Sequence, residues 1–530
     1  MRKILTIGHG PQMFFDNELI EDMVGLRRRF AGFEKPDRPF FERETPWEEP
    51  CGPVIASLLR DGEGFRLWYE IPYETTGGPM EPCFVHKTPG QKTLLSTGEP
   101  AGEGLRHHRF EKVLYAHSSD GVHWERPALN ILPEFGEGNN VVLIGPHGRT
   151  NGMALVVDEN APPERRYAAL YQGKMAVYLA FSPNGLHWTH HPGPVIPYYN
   201  DTALTVLQKP EGGYRLYGRN CVYAGNWQRR IAVYDSDDLI HWSEPSTILL
   251  PEDTNDEYYG LRPYRYGDFY VGLLMWLYST SSSTLDCEWV FSRDGLHWQH
   301  SGCKALPLGG MGSFDAFRAM YTNYLEPVGE ELHTCYVGCD ARHNAKLEEK
   351  NFALGMARMR RDGFCWLDAT DADFIGQRVQ TAMTEDKVRV RDEGHLLTRP
   401  FVFDGTALEI NADASHGYVQ VGILDLETKA QRYVTIDPAE GSTDVRDFPW
   451  TDVSGHVASD ADSGAGFVEG AHEAPFEGLG IADCDVMRTD EVFHRMSWKG
   501  ISDLSHLRGK AVRLQIHLRG ARLYSFRVVE

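Results

Sequence analysis

One short pattern recurs along the first 370 residues and constrains the fold more than any other feature of the chain. Val113–Trp124 ends in Ser-Ser-Asp-Gly-Val-His-Trp, Val177–Trp188 in Ser-Pro-Asn-Gly-Leu-His-Trp, Ile231–Trp242 in Ser-Asp-Asp-Leu-Ile-His-Trp and Glu288–Trp298 in Ser-Arg-Asp-Gly-Leu-His-Trp. A degenerate fifth copy runs from Leu354 to Phe364 and is followed by Trp366. The tryptophans at 124, 188, 242, 298 and 366 are spaced by 64, 54, 56 and 68 residues. Such periods suit a four-stranded sheet per unit rather than a helical solenoid.

Each copy reads as a strand, then Asp-Gly or Asn-Gly at a tight turn that needs positive φ, then a short strand carrying the aromatic. Further apolar runs lie upstream, such as Ala203–Leu207 and Tyr214–Tyr217 around the turn-forming Pro210-Glu-Gly-Gly213. Five such units predict an all-β chain built on a five-bladed β-propeller over residues 47–375. The repeated His-Trp pairs are expected to pack between blades, since they occur once per unit and a catalytic group is needed once.

Before the repeats, Leu19, Ile20, Met23, Val24 and Leu26 follow a partial helical period, so residues 1–46 are expected to form an arm with a short helix lying on the propeller. After it, residues 385–530 alternate strand by strand, ending in Ala511–Arg519 and Leu523–Val529, and predict a C-terminal β-sandwich as an accessory domain. Ser454–Gly466 reads as a loop within it. The insertion Ile71–Glu111, with His86, His107 and His108, reads as a loop over a pocket mouth.

With 53 basic against 75 acidic residues the net charge is −22, which argues against a nucleic-acid partner. No apolar run reaches the ~20 residues of a membrane span, and the first residues are too short an apolar stretch for a secretory signal. A cytoplasmic location is therefore expected, and the nine unpatterned cysteines fit a reducing compartment. Cys335 and Cys339 share one face of a strand and read as structural, without the partners a zinc site needs. No motif demands a cofactor. Oligomeric state is not encoded in any visible pattern.

A propeller points the first strand of each blade at its axis, so chemistry is expected where those strands begin. The segments there are Trp47–Gly52, Arg149–Gly152, Tyr198–Thr202, Asn255–Gly260 and Gly312–Ala316, and four of the five carry an acid. Asp201, Glu257 and Asp315 are the expected catalytic groups, while Glu48, Asp253 and Asp256 suit caps or solvated loops. Paired carboxylates are what cleavage of a glycosidic bond requires, one protonated to donate to the leaving oxygen and one ionised. Asp201 is expected as base or nucleophile, Glu257 as general acid and Asp315 as a third carboxylate. Glu49, Trp47, Asn151, Tyr199, Tyr258, Arg262 and Arg318 are the expected substrate-binding residues, the aromatics by packing on sugar rings and the arginines by their fork of donors. Tyr198, Tyr259 and Phe314 belong to the same aromatic group.

Five Ser-x-Asp-Gly-x-His-Trp units, acids at the start of inner strands and a trailing sandwich together resemble the five-bladed propeller glycosidases of the β-fructosidase and arabinanase superfamily, as an outlying branch. Asn200-Asp201-Thr202 and Cys287-Glu288 echo motifs of that group. The resemblance implies a hydrolase degrading an oligosaccharide or polysaccharide, of furanoside type such as arabinofuranoside or fructofuranoside, and allows calcium in the axial channel. Two other readings stay open: a non-catalytic sugar-binding propeller, and a phosphorylase or transglycosylase using Arg262 and Arg318 beside the acids.

Overall fold

The computed structural model describes residues 4–76, 84–88, 91–94, 100–101, 105–173, 176–219, 228–252, 256–370, 375–379, 387–391, 393–437, 442–449 and 466–530, without the side chains of 74–109, 147, 371–392 and 429–472. Asp253, the expected boundary at Glu385, most of the expected loop at Ser454–Gly466 and the side chains of His86, His107 and His108 lie outside them. Among the described residues the regular structure is β-strand with short 3-10 turns. No helix is long and apolar enough to cross a membrane. The chain divides into two compact units, one of Ala31–Arg265 and Phe269–Arg361, the other of Met1–Phe30, Tyr266–Asp268 and Asp362–Glu530.

The first of these units holds consecutive antiparallel meanders. The first meander runs Ile55–Asp61, Gly64–Thr76, Leu105–Ser118 and Val141–Ile144, the second Asn151–Val157, Tyr167–Gln172, Val177–Ser182 and Thr189–His190. The third runs Thr205–Gln208, Tyr214–Gly218, Ile231–Ser236 and Ser246–Leu249, the fourth Glu257–Tyr266, Phe269–Leu277, Leu285–Ser292 and Trp298–Leu306. The fifth has Arg318–Val328, Glu331–Cys339 and Phe352–Arg360, edged by bridges from Glu34 to Arg358 and Phe41 to Leu354. The insertion after Ile71 is not simply a loop, because Ile71–Thr76 continues the ladder opposite His107–Lys112.

The repeated motif is a turn closed by its own side chains. Ser118 Oγ accepts the amides of Asp120 and Gly121, while Asp120 Oδ1 accepts those of Val122 and His123 at 2.8 and 2.7 Å. The same bonds recur from Ser182 and Asn184, from Ser236 and Asp238, and from Ser292 and Asp294. Contrary to the expected packing of the pair between blades, His123, His241 and His297 are exposed and bond the turn carboxylate through Nδ1. Only the tryptophan packs, and each indole donates back to the turn, as Trp298 does to the Gly295 carbonyl at 3.2 Å. The bend needs positive φ, supplied by Gly121, Gly185 and Gly295 but by Leu239 (φ 67°) in the third copy.

Neighbouring meanders share apolar clusters: Trp68 and Val113 pack with Leu155 and Tyr171, Leu170 and Leu179 with Leu204 and Leu216, and Tyr217 and Val233 with Leu261 and Val290. Polar stitches join them at the turns, Trp68 Nε1 to the Gly185 carbonyl at 2.6 Å and Tyr217 to that of Gly295 at 2.8 Å. The fifth returns to the first through the Leu58 amide on Asn323 at 2.7 Å. First strands of all five line one cavity of about 70 Å³, among them Ala56, Ala154, Thr205, Arg262 and Arg318.

In the other unit, an eight-stranded and a six-stranded sheet contribute to one buried cluster, with Val421, Ile516 and Leu396 from the first and Ile410, Leu523 and Phe526 from the second. The expected N-terminal helix is absent. Ile20–Val24 pairs with Gly394–Thr398, and Arg27–Phe30 with Cys365–Asp368. Gly25, at φ 72°, breaks a helix between them, and strand partners about 340 to 380 residues away bury Leu19, Ile20 and Leu26. Residues up to Phe30 therefore group with the C-terminal strands rather than with the meanders, and so does Trp366, in the strand facing Arg27–Phe30.

Candidate active site

Asp201 does not open a strand, as its apolar neighbours predict; the regular strand begins at Thr205. Between them Asp201 and Ala203 both take positive φ, 65° and 59°. This conformation is tolerable for Asp and costly for Ala, and such strain persists where surrounding structure enforces it. The Asp201 carbonyl accepts Asn151 Nδ2 at 3.2 Å, and the amide before it, Asn200, donates to Gln172 Oε1 at 2.7 Å. The loop is thus anchored to the second meander.

The carboxylate of Asp201 meets two arginines. Arg219 Nη1 bonds Oδ2, Arg229 Nε stands 3.9 Å from the same oxygen, and the Tyr199 hydroxyl donates to Oδ1 at 3.2 Å. Arg219, almost fully buried, also donates to the Tyr259 carbonyl from Nε and Nη2 at 3.0 and 2.6 Å and lies over the Tyr259 ring at 4.2 Å. Burial alone would raise the Asp201 carboxyl, but Arg219 and then Arg229 outweigh it and hold it below its ordinary value.

Arg229 also bonds Glu257, through Nη1 to Oε2, and its own amide donates to that oxygen at 3.3 Å. One guanidinium therefore holds acids from the third and fourth meanders. In Glu257 too the raising effect of burial is overcome, by Arg229 and a hydrogen bond from Ser279, so the carboxyl sits below its ordinary value. Behind Tyr259, whose hydroxyl lies 3.1 Å from His343 Nε2, the imidazole is pushed down to about 3 by burial and by Arg318, Arg229, Lys350 and Arg219. Burial is the first cause of that shift and the neighbouring cations add to it, so the histidine is neutral.

Asp315 is held apart from this cluster. Its Oδ2 accepts Lys35 Nζ at 2.6 Å and the Tyr336 hydroxyl at 2.9 Å, and its Oδ1 accepts Ser313 Oγ at 2.8 Å. Among the described residues its hydrogen-bond partners are Lys35, Tyr336 and Ser313 rather than the residues around Asp201 and Glu257, and Phe314 beside it packs on Tyr336.

Of the expected binding residues, Asn151 and Tyr199 join Asp201, while Arg262 and Arg318 line the cavity that Thr202 and Tyr259 also border. Arg318 donates to the Arg342 carbonyl at 2.8 Å. The others point elsewhere. Trp47 Nε1 bonds the Phe135 carbonyl at 2.8 Å, Tyr198 bonds Glu244, and Glu49 is exposed and paired with Arg43. Tyr258 is buried against Trp276 at 4.8 Å, because alternation along its strand turns it away from the face that Glu257 and Tyr259 share. Glu48 is a scaffold group, its oxygens taken by Tyr69, Arg126 and the amides of Glu44 and Thr45.

Arg219, Arg229, His343 and Lys35 were not apparent in the sequence. The first two follow the second strand and precede the third strand of one meander, where antiparallel return brings the chain back beside Asp201. Two nearby acids are fixed partners, Glu70 accepting the Gly152 amide at 2.7 Å and Glu111 facing Arg149 at 3.2 Å. Calcium does not fit this cavity. Its lining includes Arg262 and Arg318 and no carboxylate, where that ion needs six to eight oxygen ligands.

No protein-family model matches the chain, and no curated protein does. Among solved structures it is similar to an N-acetylgalactosamine deacetylase from F. plautii in complex with blood group B trisaccharide, at 14% identity over 64% of this chain and 97% of that one, TM-score 0.42. It is also similar to the β-1,2-mannobiose phosphorylase from Listeria innocua, 13% identical over 62% and 96% with TM-score 0.42. The catalytic domain of an α-L-arabinofuranosidase from Coprinopsis cinerea is 10% identical over 62% and 97%, again at 0.42.

Proposed function

We propose that the chain is a glycoside hydrolase, with the five meanders as the blades of a propeller, the other unit as an accessory sandwich and the reaction at Asp201 and Glu257. The observation that carries this reading is the meeting of these two carboxylates, from different meanders, on the single guanidinium of Arg229. Asp201, kept ionised by Arg219, serves as base or nucleophile. Glu257 serves as the acid once substrate displaces Arg229, because burial, the largest influence on its carboxyl, then acts without its main opponent and favours the protonated form. Tyr199, Tyr259 and Arg318 contact the sugar, and Asp315 tunes its partner Lys35. A furanoside, such as an arabinofuranoside or fructofuranoside, is the substrate class this reading carries.

The test is turnover of a panel of aryl furanosides and pyranosides by wild type and Asp201→Asn. Loss of about 10²–10⁴-fold in the variant supports the role; equal turnover removes Asp201 from the chemistry, and sugar binding without any turnover leaves a binding propeller.

A second reading rests on the cations near His343: Lys350 Nζ donates to its carbonyl at 3.1 Å and Arg318 to the preceding carbonyl, that of Arg342, at 2.8 Å, and cations are what an anionic acceptor such as phosphate would require. Cleavage that depends on inorganic phosphate and releases a sugar phosphate would replace hydrolysis by phosphorolysis.

A further inference from the structure

A second cluster of chemical groups lies in the unit of C-terminal strands, apart from the residues described above. His395 and His517 are direct partners on neighbouring antiparallel strands, Gly394–Thr398 and Val512–Arg519. Leu396, Ile516 and Leu518 point into the buried cluster, so alternation places both imidazoles on the opposite face of that sheet. Their rings are 4.1 Å apart, with His395 Nδ1 3.1 Å from His517 Nε2. Glu393, two residues before His395 and therefore on the same face, brings Oε2 to 3.0 Å from His395 Nε2 and 3.9 Å from His517 Nδ1.

We propose that Glu393, His395 and His517 form a binding site for a divalent transition metal of the zinc class. One donor atom from each lies within 4.8 Å of the other two. Four ligands at about 2.0–2.1 Å around a tetrahedral ion stand about 3.3 Å from one another, and the separations of 3.0 and 3.9 Å bracket that value. Two imidazoles and one carboxylate are a donor set that suits zinc, cobalt, nickel or copper, and they are too few and too nitrogen-rich for calcium or magnesium. The site is also braced from outside. The Tyr418 hydroxyl donates to Glu393 Oε1 at 2.5 Å, fixing the carboxylate and leaving Oε2 for an ion, as second partners do in metal sites. Gln420, the partner of His517 on the next strand, sits on the same face beside the cluster. Side-chain exposures of 34% for His395, 27% for Glu393 and 17% for His517 leave a route from solvent and room for water as a further ligand.

The experiment is calorimetric titration of the chelator-treated full chain with zinc chloride, alongside cobalt chloride followed by visible absorption. Wild type is expected to bind one equivalent, with the intense visible bands of four-coordinate cobalt, and to melt higher in zinc than in chelator. His395→Gln and His517→Gln, which keep polar side chains on this face, are expected to weaken binding at least tenfold, abolish the cobalt bands and melt like wild type in chelator. Either an absence of stoichiometric binding to wild type or unchanged affinity in the folded double variant overturns the proposal.

Discussion

Arg229 holds the carboxylate of Glu257 while its Nε stands 3.9 Å from that of Asp201. A single cation thus neutralises two acids that 56 residues of chain separate, and the protonation of each depends on where that cation goes. In both, burial favours the neutral form and the arginines reverse it.

Removing that cation tests the arrangement directly. In Arg229→Gln, burial acts on Glu257 without its main opponent, so its carboxyl rises toward and above the ordinary value. The alkaline limb of the pH–kcat/KM profile, where the general acid loses its proton, is expected to move to higher pH, and a carbon-detected titration of Glu257 to move the same way. A profile that stays put would separate Arg229 from the protonation of the site.

Asp201 neutralises an arginine that has little water around it. Asp201→Asn leaves Arg219 nearly buried without its carboxylate, a loss of about 3 kcal/mol in urea unfolding. Arg219→Gln leaves the more accessible Asp201 instead and is expected to cost less. Equal costs would mean that the pair is not desolvated as described.

Gly185 cannot be replaced cheaply. Its φ is 74°, and an added Cβ would stand 2.5 Å from the Trp68 ring, while its carbonyl receives Trp68 Nε1. Gly185→Ala is expected to destabilise by about 2–3 kcal/mol through strain and overpacking. Trp68→Phe is expected to cost about 0.5–1.5 kcal/mol by removing one of the two indole donors to that carbonyl, Trp188 Nε1 remaining at 3.1 Å. Denaturant midpoints measure both.

The repeated turns carry an acid sensitivity. Burial would raise Asp238, but the amides of His241 and Ile240 and the imidazole of His241 together outweigh it and hold the carboxyl at about 2, below the ordinary 3.8. A depressed carboxylate stabilises fully above its unfolded value, and that contribution is lost as pH falls from about 4 toward 2. Asp120 and Asp294 are depressed in the same way. The unfolding midpoint of Asp238→Asn is therefore expected to fall less steeply than that of wild type over this range.

The turns were readable because every bond in them closes within seven residues, as from Ser292 to Trp298. The N-terminal strands were not, since the spacing of Leu19, Ile20, Met23, Val24 and Leu26 fits either element and the decision came from the strand at Gly394–Thr398. Asp201, four residues ahead of the strand at Thr205, and Glu257, at the start of its own, could be singled out as acids, and Asn151 and Tyr199 as neighbours of Asp201. Tyr258 was misread because one residue of strand alternation separates a buried side chain from the site.

What the amino-acid order alone determined is local: a Ser-Asp-Gly turn satisfies its own amides wherever it sits, so its recurrence declared an all-β chain of repeated sheets. What only the tertiary structure decided is which charges share a space. Arg219 and Arg229 lie in connections without period or motif, and antiparallel return of the chain, rather than sequence proximity, brings them to the carboxylates whose protonation they control.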